Sequence, residues 1–400
     1  MKRKIVVYLS ATSTDGGKYQ YSQSIVSALE GLNTEDFSLF AVYFDSDWEG
    51  QLSNQFNKRP LKRNNLLIKI LKTVFFRIFP NKGRNLWRKI GEFLDNNHKT
   101  FFEIKPDLII YAGKDPFVHE INLPGVVPIF DLMHRYENFP ELQSDGTFSE
   151  RELYYNRLCK FSRAILTDSE VGKQHVVDCY SANPDKIFVL PFTAPPYIHN
   201  TVVVEENIRV KFGLPNSYIF YPAQFWLHKN HLGLIDALRI LKTAGIIVNC
   251  VLVGSKKNVY DQIADKAQEY DLTSQIFTLG YISNQDIIQL YQGAIALVMP
   301  TFFGPTNIPQ LEAFALNCPV LTSNIYGIPE QVGNAALLFD PKDPVDIADK
   351  IRRIITEPEL RSTLIENGKK RNEEFSQQQF NKKFCDIIVS IINEPSSLNI

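Results

Sequence analysis

Apolar, β-branched runs alternate with segments whose apolar positions recur every three or four residues along almost the whole chain. The first half offers KIVVYLS, FSLFAVYF, PDLIIYA, VVPIFDL, RAILTDS and IFVLPF; the second offers YIFYPAQ, VNCVLVG, QIFTLG, AIALVMP and PVLTS. Runs that are apolar at nearly every position predict strands buried on both faces, hence parallel sheets with helices on both sides. The alternation breaks around residues 193–217, TAPPYIHNTVVVEENIRVKFGLPNS, which is rich in proline, asparagine and turn residues. The pattern predicts two doubly wound α/β domains facing each other across a cleft, with ligands at the carboxyl ends of the strands. The expected limits are 1–195 for the first domain, 196–217 for a linker, 218–376 for the second domain and 377–400 for a terminal helix packing back on the first. Near the end, DPVDIADKIRRII, ELRSTLIENGKKRNEEF and QQFNKKFCDIIVSIIN each carry one apolar helical face.

Composition adds little to this picture and removes several classes of function. The chain has 400 residues, 44% hydrophobic and 22% charged, with a formal net charge of −1, so no polyanion such as nucleic acid is expected as a partner. Five cysteines, at 159, 179, 250, 318 and 385, form no Cys-x-x-Cys and cannot all pair, which argues for a reducing compartment and against a structural zinc site. No apolar run approaches the ~20 residues needed to span a bilayer. The opening MKRKIVVYLSAT imitates a signal peptide but reads as a first strand, because a glycine turn and an amphipathic segment follow at once. A cytoplasmic protein is expected.

Candidate chemistry gathers where strands run into helices. In PTFFGPTNIPQLEAFALNCPV (300–320), Asn307 suits an N-cap, Pro309 suits the first turn, and Gln310 completes a capping-box pattern. The amides of such a turn, with the helix dipole behind them, suit a diphosphate, and Glu312 one turn on suits the vicinal hydroxyls of a ribose. A capped turn with Glu312 as a solvated helix residue is the plain alternative. In YPAQFWLHKNHLGLIDAL (221–238), Lys229 precedes a helix at the carboxyl end of a strand and suits the charge of a departing diphosphate. Gly16 and Gly17, in STDGGKYQYSQSIVSAL, allow close backbone approach to a phosphate or sugar, or simply make the turn.

With these residues in view, the chain resembles the glycosyltransferases of family 4, over nearly its whole length and most strongly from Tyr221 to Asp340. The resemblance implies the GT-B fold of two Rossmann-like domains, and retaining transfer of a hexosyl group from a nucleotide sugar without a metal or a cofactor. Glu312 matches the second acid of the family's Glu-x7-Glu pattern, which holds the ribose; the first acid falls on Gly304. The chain looks like a subgroup whose loop reads Phe-Gly-Pro-Thr-Asn, with Thr306, Asn307 and Ile308 near the donor. Lys229 matches the lysine of the family's diphosphate pair, while Gln224 stands at the arginine. His134, in VVPIFDLMHR, matches a histidine that contacts the donor sugar; Tyr281 and Ile282, in GYISNQDIIQLYQGA, match the segment facing the nucleobase. His134 and Lys229 are thus the expected catalytic residues. The resemblance implies a GDP-, UDP- or dTDP-sugar as donor, with a mannosyl, rhamnosyl or similar group, and as acceptor a saccharide or lipid-linked saccharide in surface polysaccharide or lipopolysaccharide assembly.

Three further features bear on this expectation. FDSDWEG carries Asp45 and Asp47 as Asp-x-Asp, which holds a metal in glycosyltransferases of the other common fold; after the strand it reads as a solvated turn. Between Lys58 and Gly91, eleven basic residues and no acidic one are interleaved with Leu, Ile and Phe, which suits a peripheral position on an anionic membrane face, at about 1 kcal/mol per basic residue. An ordinary helix pair covering the sheet is the alternative. The absent arginine and acid leave open a catalytically silent sugar-nucleotide-binding partner, or a GT-B epimerase or phosphorylase.

Overall fold

In the computed structural model all eleven apolar runs form strands. It describes residues 2–62, 66–79, 83–115, 117–121, 123–143, 147–199, 207–280 and 282–394. Among them the first sheet contains β1 (Arg3–Leu9), β2 (Phe37–Tyr43), β3 (Phe56–Pro60), β4 (Leu108–Tyr111), β5 (Gly125–Pro128), β6 (Ala164–Thr167) and β7 (Ile187–Val189). The second contains β8 (Ile219–Pro222), β9 (Cys250–Val253), β10 (Ile276–Leu279), β11 (Leu297–Met299), β12 (Val320–Ser323) and β13 (Ala336–Phe339). Two of these, β3 and β13, lie outside the eleven runs.

The spatial orders are β3-β2-β1-β4-β5-β6-β7 and β10-β9-β8-β11-β12-β13, with every pairing parallel. Each sheet therefore grows outward in both directions from its first strand. The order reverses between β1 and β4 in one and between β8 and β11 in the other, and such reversals open the crevice where doubly wound sheets bind ligands. The central strands β4, β5, β6, β9 and β12 are buried at every position, as strands covered on both faces must be.

Contacts divide the chain into two compact units. The first comprises Met1–Leu132, Gly146–Pro191 and Gln377–Ile400; the second comprises Met133–Asp145 and Phe192–Ser376. In the first unit the helix Gln377–Asn393 lies against the helix Gly17–Glu30, where Phe380 meets Tyr21 edge to face. Its last carbonyls, which no helix can satisfy internally, accept from arginines: Ile392 from Arg3 at 2.6 Å and Ile391 from Arg163 at 3.2 Å. In the second unit, the short helices Met133–Tyr136 and Pro140–Gln143 form a small apolar cluster in which Met133 and Leu142 join Phe303, with Phe139 and Tyr326 against them.

Candidate functional site

Two loops meet at the reversal between β8 and β11. Residues 223–230 leave β8 through the 3-10 turn Leu227–Lys229 and enter the helix His231–Thr243. Asn230 adopts the left-handed conformation that asparagine tolerates, φ 56°, and its Oδ1 accepts from the Gly233 N–H at 3.2 Å, capping the helix. The Tyr221 hydroxyl donates to the Lys229 carbonyl at 2.9 Å, so the backbone of this half-buried lysine is fixed from both sides. The second loop, residues 300–307, is bound to the first: the His228 carbonyl accepts from the Phe302 N–H at 2.8 Å and from the Thr301 hydroxyl at 3.3 Å. The His228 ring stacks on Phe303, with centroids 4.0 Å apart and planes 18° apart.

The electrostatics of this corner follow from burial. Burial, followed by the Lys229 cation, pushes His228 down to about 3, against the pull of Glu141. The neutral ring donates from Nδ1 to Glu141 Oε1 at 2.5 Å, and the His228 backbone N–H donates to the same oxygen at 3.2 Å. Burial alone would raise the Glu141 carboxyl, but these hydrogen bonds hold it below the usual range. His231, tilted between the rings of Tyr221 and Phe225, is likewise pushed to about 3 by burial and by Lys229. With both imidazoles neutral at physiological pH, the Lys229 ammonium is the cation of this turn.

The start of the helix Ile308–Ala315 differs from the capping box that its sequence suggests. Asn307 occupies the N-cap position, yet its side chain caps nothing. Its backbone is held by the Gln331 side chain instead: the Asn307 N–H donates to Gln331 Oε1 at 2.9 Å, and Gln331 Nε2 donates to the Asn307 carbonyl at 2.7 Å. Gln331 is itself fixed by Arg371, whose Nε donates to its carbonyl at 2.8 Å. Gln310 turns into the core, where its Nε2 donates to the Thr322 hydroxyl at 3.1 Å, and so cannot reach back to the cap. The first-turn amides thus receive no side-chain acceptor from Asn307, and Asn307 Nδ2 is a buried donor with no acceptor among the described residues. Because no cap would be lost, Asn307→Ala is expected to unfold within about 0.5 kcal/mol of the parent in urea, as for a neutral substitution. A loss near 1 kcal/mol, the size of an N-cap, would show that the side chain caps in solution.

The same geometry explains the missing acid. Gly304 sits at φ 125°, a region that side chains avoid, and a Cβ there would stand 2.8 Å from Asn307 Nδ2. A glutamate at residue 304 would therefore be strained by its backbone and would also have to displace the Asn307 amide.

Glu312 is not a solvated helix residue. It is 5% exposed, and its Oε1 and Oε2 accept from the hydroxyls of Tyr197 at 2.6 Å and Tyr291 at 2.7 Å. Burial raises its carboxyl, while the two tyrosine hydrogen bonds work against the rise. Thr306 is buried within the loop, and Ile308 is the first, half-buried residue of the helix. Gln224 is exposed and accepts from the Trp226 indole N–H at 2.9 Å. His134 is buried in the second unit, in the helix Met133–Tyr136, and its carbonyl accepts from Gln143 at 3.1 Å. Ile282 is buried in the hydrophobic core of this unit, two strands away from the reversal, and Tyr281 lies outside the described residues.

Gly16 and Gly17 belong to the first unit. Gly16, at φ 57°, leads into the helix Gly17–Glu30 after β1, at that sheet's own reversal, and no side chain caps the helix. Asp45 and Asp47 are engaged locally: Asp45 Oδ1 accepts from the Asp47 N–H at 3.0 Å, and Asp47 accepts from Ser13 at 3.1 Å. The sequence reading missed Glu141, Tyr197, Tyr291, Gln331 and Arg371. Each comes from a segment far along the chain from the residue it holds, so no local spacing announced it.

Two Rossmann-like domains of parallel strands, each with its order reversing at the first strand, define the GT-B fold. Residues 204–371, all within the second unit, match the family described as "Glycosyl transferases group 1". The chain is 27% identical over 219 residues to "Serotype-specific mannosyltransferase WbdA" of Escherichia coli, covering 52% of this chain and 26% of that protein. It is 25% identical over 218 residues to "O-antigen chain mannosyltransferase B" of Escherichia coli, covering 54% of this chain and 57% of that protein. The matched stretch thus spans about a quarter and somewhat over half of these relatives. The solved structure "Anabaena Alr3699/HepE in complex with UDP and glucose" superposes with a TM-score of 0.71 over 97% of this chain and 100% of that one, at 16% identity.

Proposed function

We propose that the chain is a retaining, metal-independent glycosyltransferase. It moves a hexosyl group, mannosyl or rhamnosyl in kind, from a nucleotide sugar to a saccharide or lipid-linked saccharide during surface polysaccharide assembly in the cytoplasm. The observation that carries this reading is the convergence, at one strand reversal, of the Lys229 turn with a helix start whose cap side chain is left over as a buried, unused donor. The mannosyl part is supported by the names of the relatives.

In this mechanism the diphosphate sits on the first-turn amides of the helix Ile308–Ala315, beside the Lys229 ammonium, and Glu312 takes the ribose hydroxyls. Thr306, Asn307 and His134 position the sugar, and the Asn307 amide donates to one of its hydroxyls. Ile308 lies beside the phosphates, and the backbone at Ile282 faces the base. The bond from the anomeric carbon to the diphosphate oxygen breaks as the acceptor oxygen bonds to the same face of that carbon. The acceptor's proton passes to the departing phosphate oxygen, so no protein base or nucleophile is assigned. Lys229 and the helix dipole supply the positive charge that a metal would otherwise provide.

Lys229→Ala is expected to lower turnover roughly ten- to a hundredfold, since a charge-assisted contact contributes about 1.5–3 kcal/mol. Transfer at the parent rate by the folded variant would reduce Lys229 to a surface lysine. Gln224 and Gly304, standing where the family has an arginine and an acid, favour one second reading: a silent sugar-nucleotide-binding protein. A panel of GDP-, UDP- and dTDP-sugars separates the two. Label transfer to a saccharide supports the transferase, and nucleotide binding without turnover on every donor supports the silent protein.

A further inference from the structure

The helix Leu66–Ile78 carries two apolar faces: Phe75 and Phe76 pack inward on Trp87, and a second stripe faces outward. A helix on a soluble protein normally turns its apolar stripe inward and its lysines to water. Here Lys72 faces inward, 11% exposed, with its Nζ 2.7 Å from Asp95 Oδ2 and 2.7 Å from Glu120 Oε2. Leu67, Ile70, Val74 and Ile78, spaced three and four apart on one face, are exposed by 73%, 52%, 49% and 63%. The ion pairs hold this rotation. Turning the leucine stripe inward would strip Asp95 of Lys72 in a fully buried position, where it also binds His98 at 2.9 Å, and an uncompensated buried charge is strongly destabilising.

The charges around the stripe are mostly positive, although Glu92 is exposed on the neighbouring helix Gly83–Leu94. Arg59, Lys62, Arg77 and Lys89 are exposed, and no acidic residue occurs between Lys58 and Gly91. Leu86 and Phe93 of the neighbouring helix Gly83–Leu94 are also exposed. At 13 residues the helix is only about 20 Å long. No described helix is long and apolar enough to cross a membrane. An apolar stripe framed by cations on a short helix suits the plane of a lipid interface. A second copy of the chain fits poorly, because two such basic frames repel each other.

We propose that the outward stripe of Leu66–Ile78, with its frame of Arg59, Lys62, Arg77 and Lys89, docks on an anionic lipid bilayer. The stripe lies at the acyl boundary and the cations lie among the headgroups. This deepens the transferase reading by naming the phase that holds the acceptor, but it is tested without donor or acceptor, so the two stand or fall separately. The test is flotation with phosphatidylcholine vesicles, with and without phosphatidylglycerol, at low salt. The parent should float only with the anionic vesicles, and each exposed basic residue replaced by glutamine should weaken partition about fivefold. Ile70→Gln with Val74→Gln should abolish flotation while leaving thermal melting and nucleotide binding as in the parent. Undiminished flotation of that double variant would overturn the proposal. It would also be overturned if the parent ignores anionic vesicles while the double variant alone loses a self-associated form, since the stripe would then be a protein interface.

Discussion

Glu312→Ala is expected to lose stability and nucleotide affinity together, whereas Glu312→Gln should lose affinity while keeping most of the stability. The carboxylate accepts from two buried hydroxyls, Tyr197 at 2.6 Å and Tyr291 at 2.7 Å. Alanine would leave the Tyr197 hydroxyl without this acceptor, at about 1–3 kcal/mol, and leave Tyr291 only its longer bond to the Pro309 carbonyl at 3.3 Å. Part of that loss is offset, because the change also removes a carboxyl whose ionised form is disfavoured by burial. Glutamine keeps the volume and one carbonyl acceptor, and its amide can donate to the second tyrosine oxygen, so its urea midpoint should stay near the parent's. It no longer presents a charged acceptor to ribose hydroxyls, a contact of about 1.5–3 kcal/mol, so nucleoside diphosphate should bind roughly ten- to a hundredfold more weakly. If the glutamine variant binds the nucleotide as the parent does, Glu312 is a brace for two tyrosines and the ribose is held elsewhere.

That brace was not legible in the sequence, and the reason is general to this site. Glu312, Lys229 and Asn307 could be singled out because each stands at a fixed offset from a strand end or helix start, and spacing along one element survives in the sequence. Their partners do not. Tyr197 lies in a short turn 115 residues before Glu312, and Gln331 lies 24 residues after Asn307. The capping box failed for this reason: Asn307, Pro309 and Gln310 have the right order, but Gln331 takes the N–H that Gln310 would have reached, and Thr322 draws Gln310 into the core. The strands divide along the same line. Runs buried on both faces announce themselves, whereas β3 has one buried residue, Phe56, among exposed or half-exposed neighbours at the sheet edge, and looks like loop. Gly304 is the reverse case: the sequence shows the glycine plainly, but only its φ of 125° and the nearby Asn307 side chain show what a side chain there would meet.

His231→Phe is expected to make the protein more resistant to acid by an amount that grows as pH falls. His231 is 1% exposed and lies between the rings of Tyr221, at 4.7 Å, and Phe225, at 4.8 Å, a setting that suits a benzene ring. Burial first, then the Lys229 cation, lowers its folded pKa to about 3, against an ordinary value of 6.5. The unfolded chain therefore binds a proton below pH 6.5 that the folded chain refuses until about pH 3. Stability falls through that window by about 1.4 kcal/mol per pH unit for this group. His228 has the same sign, and the raised carboxyls of Asp115 and Glu312 have the opposite one, but all three are common to parent and variant and cancel in the difference. The gap between variant and parent should therefore widen by about 2 kcal/mol between pH 7 and pH 5, measured from urea midpoints at the two values. A gap that stays constant would mean that His231 takes its proton in the folded state. Lys229 would then share its turn with a second charge, and the diphosphate would meet a site whose cationic strength changes across the physiological range.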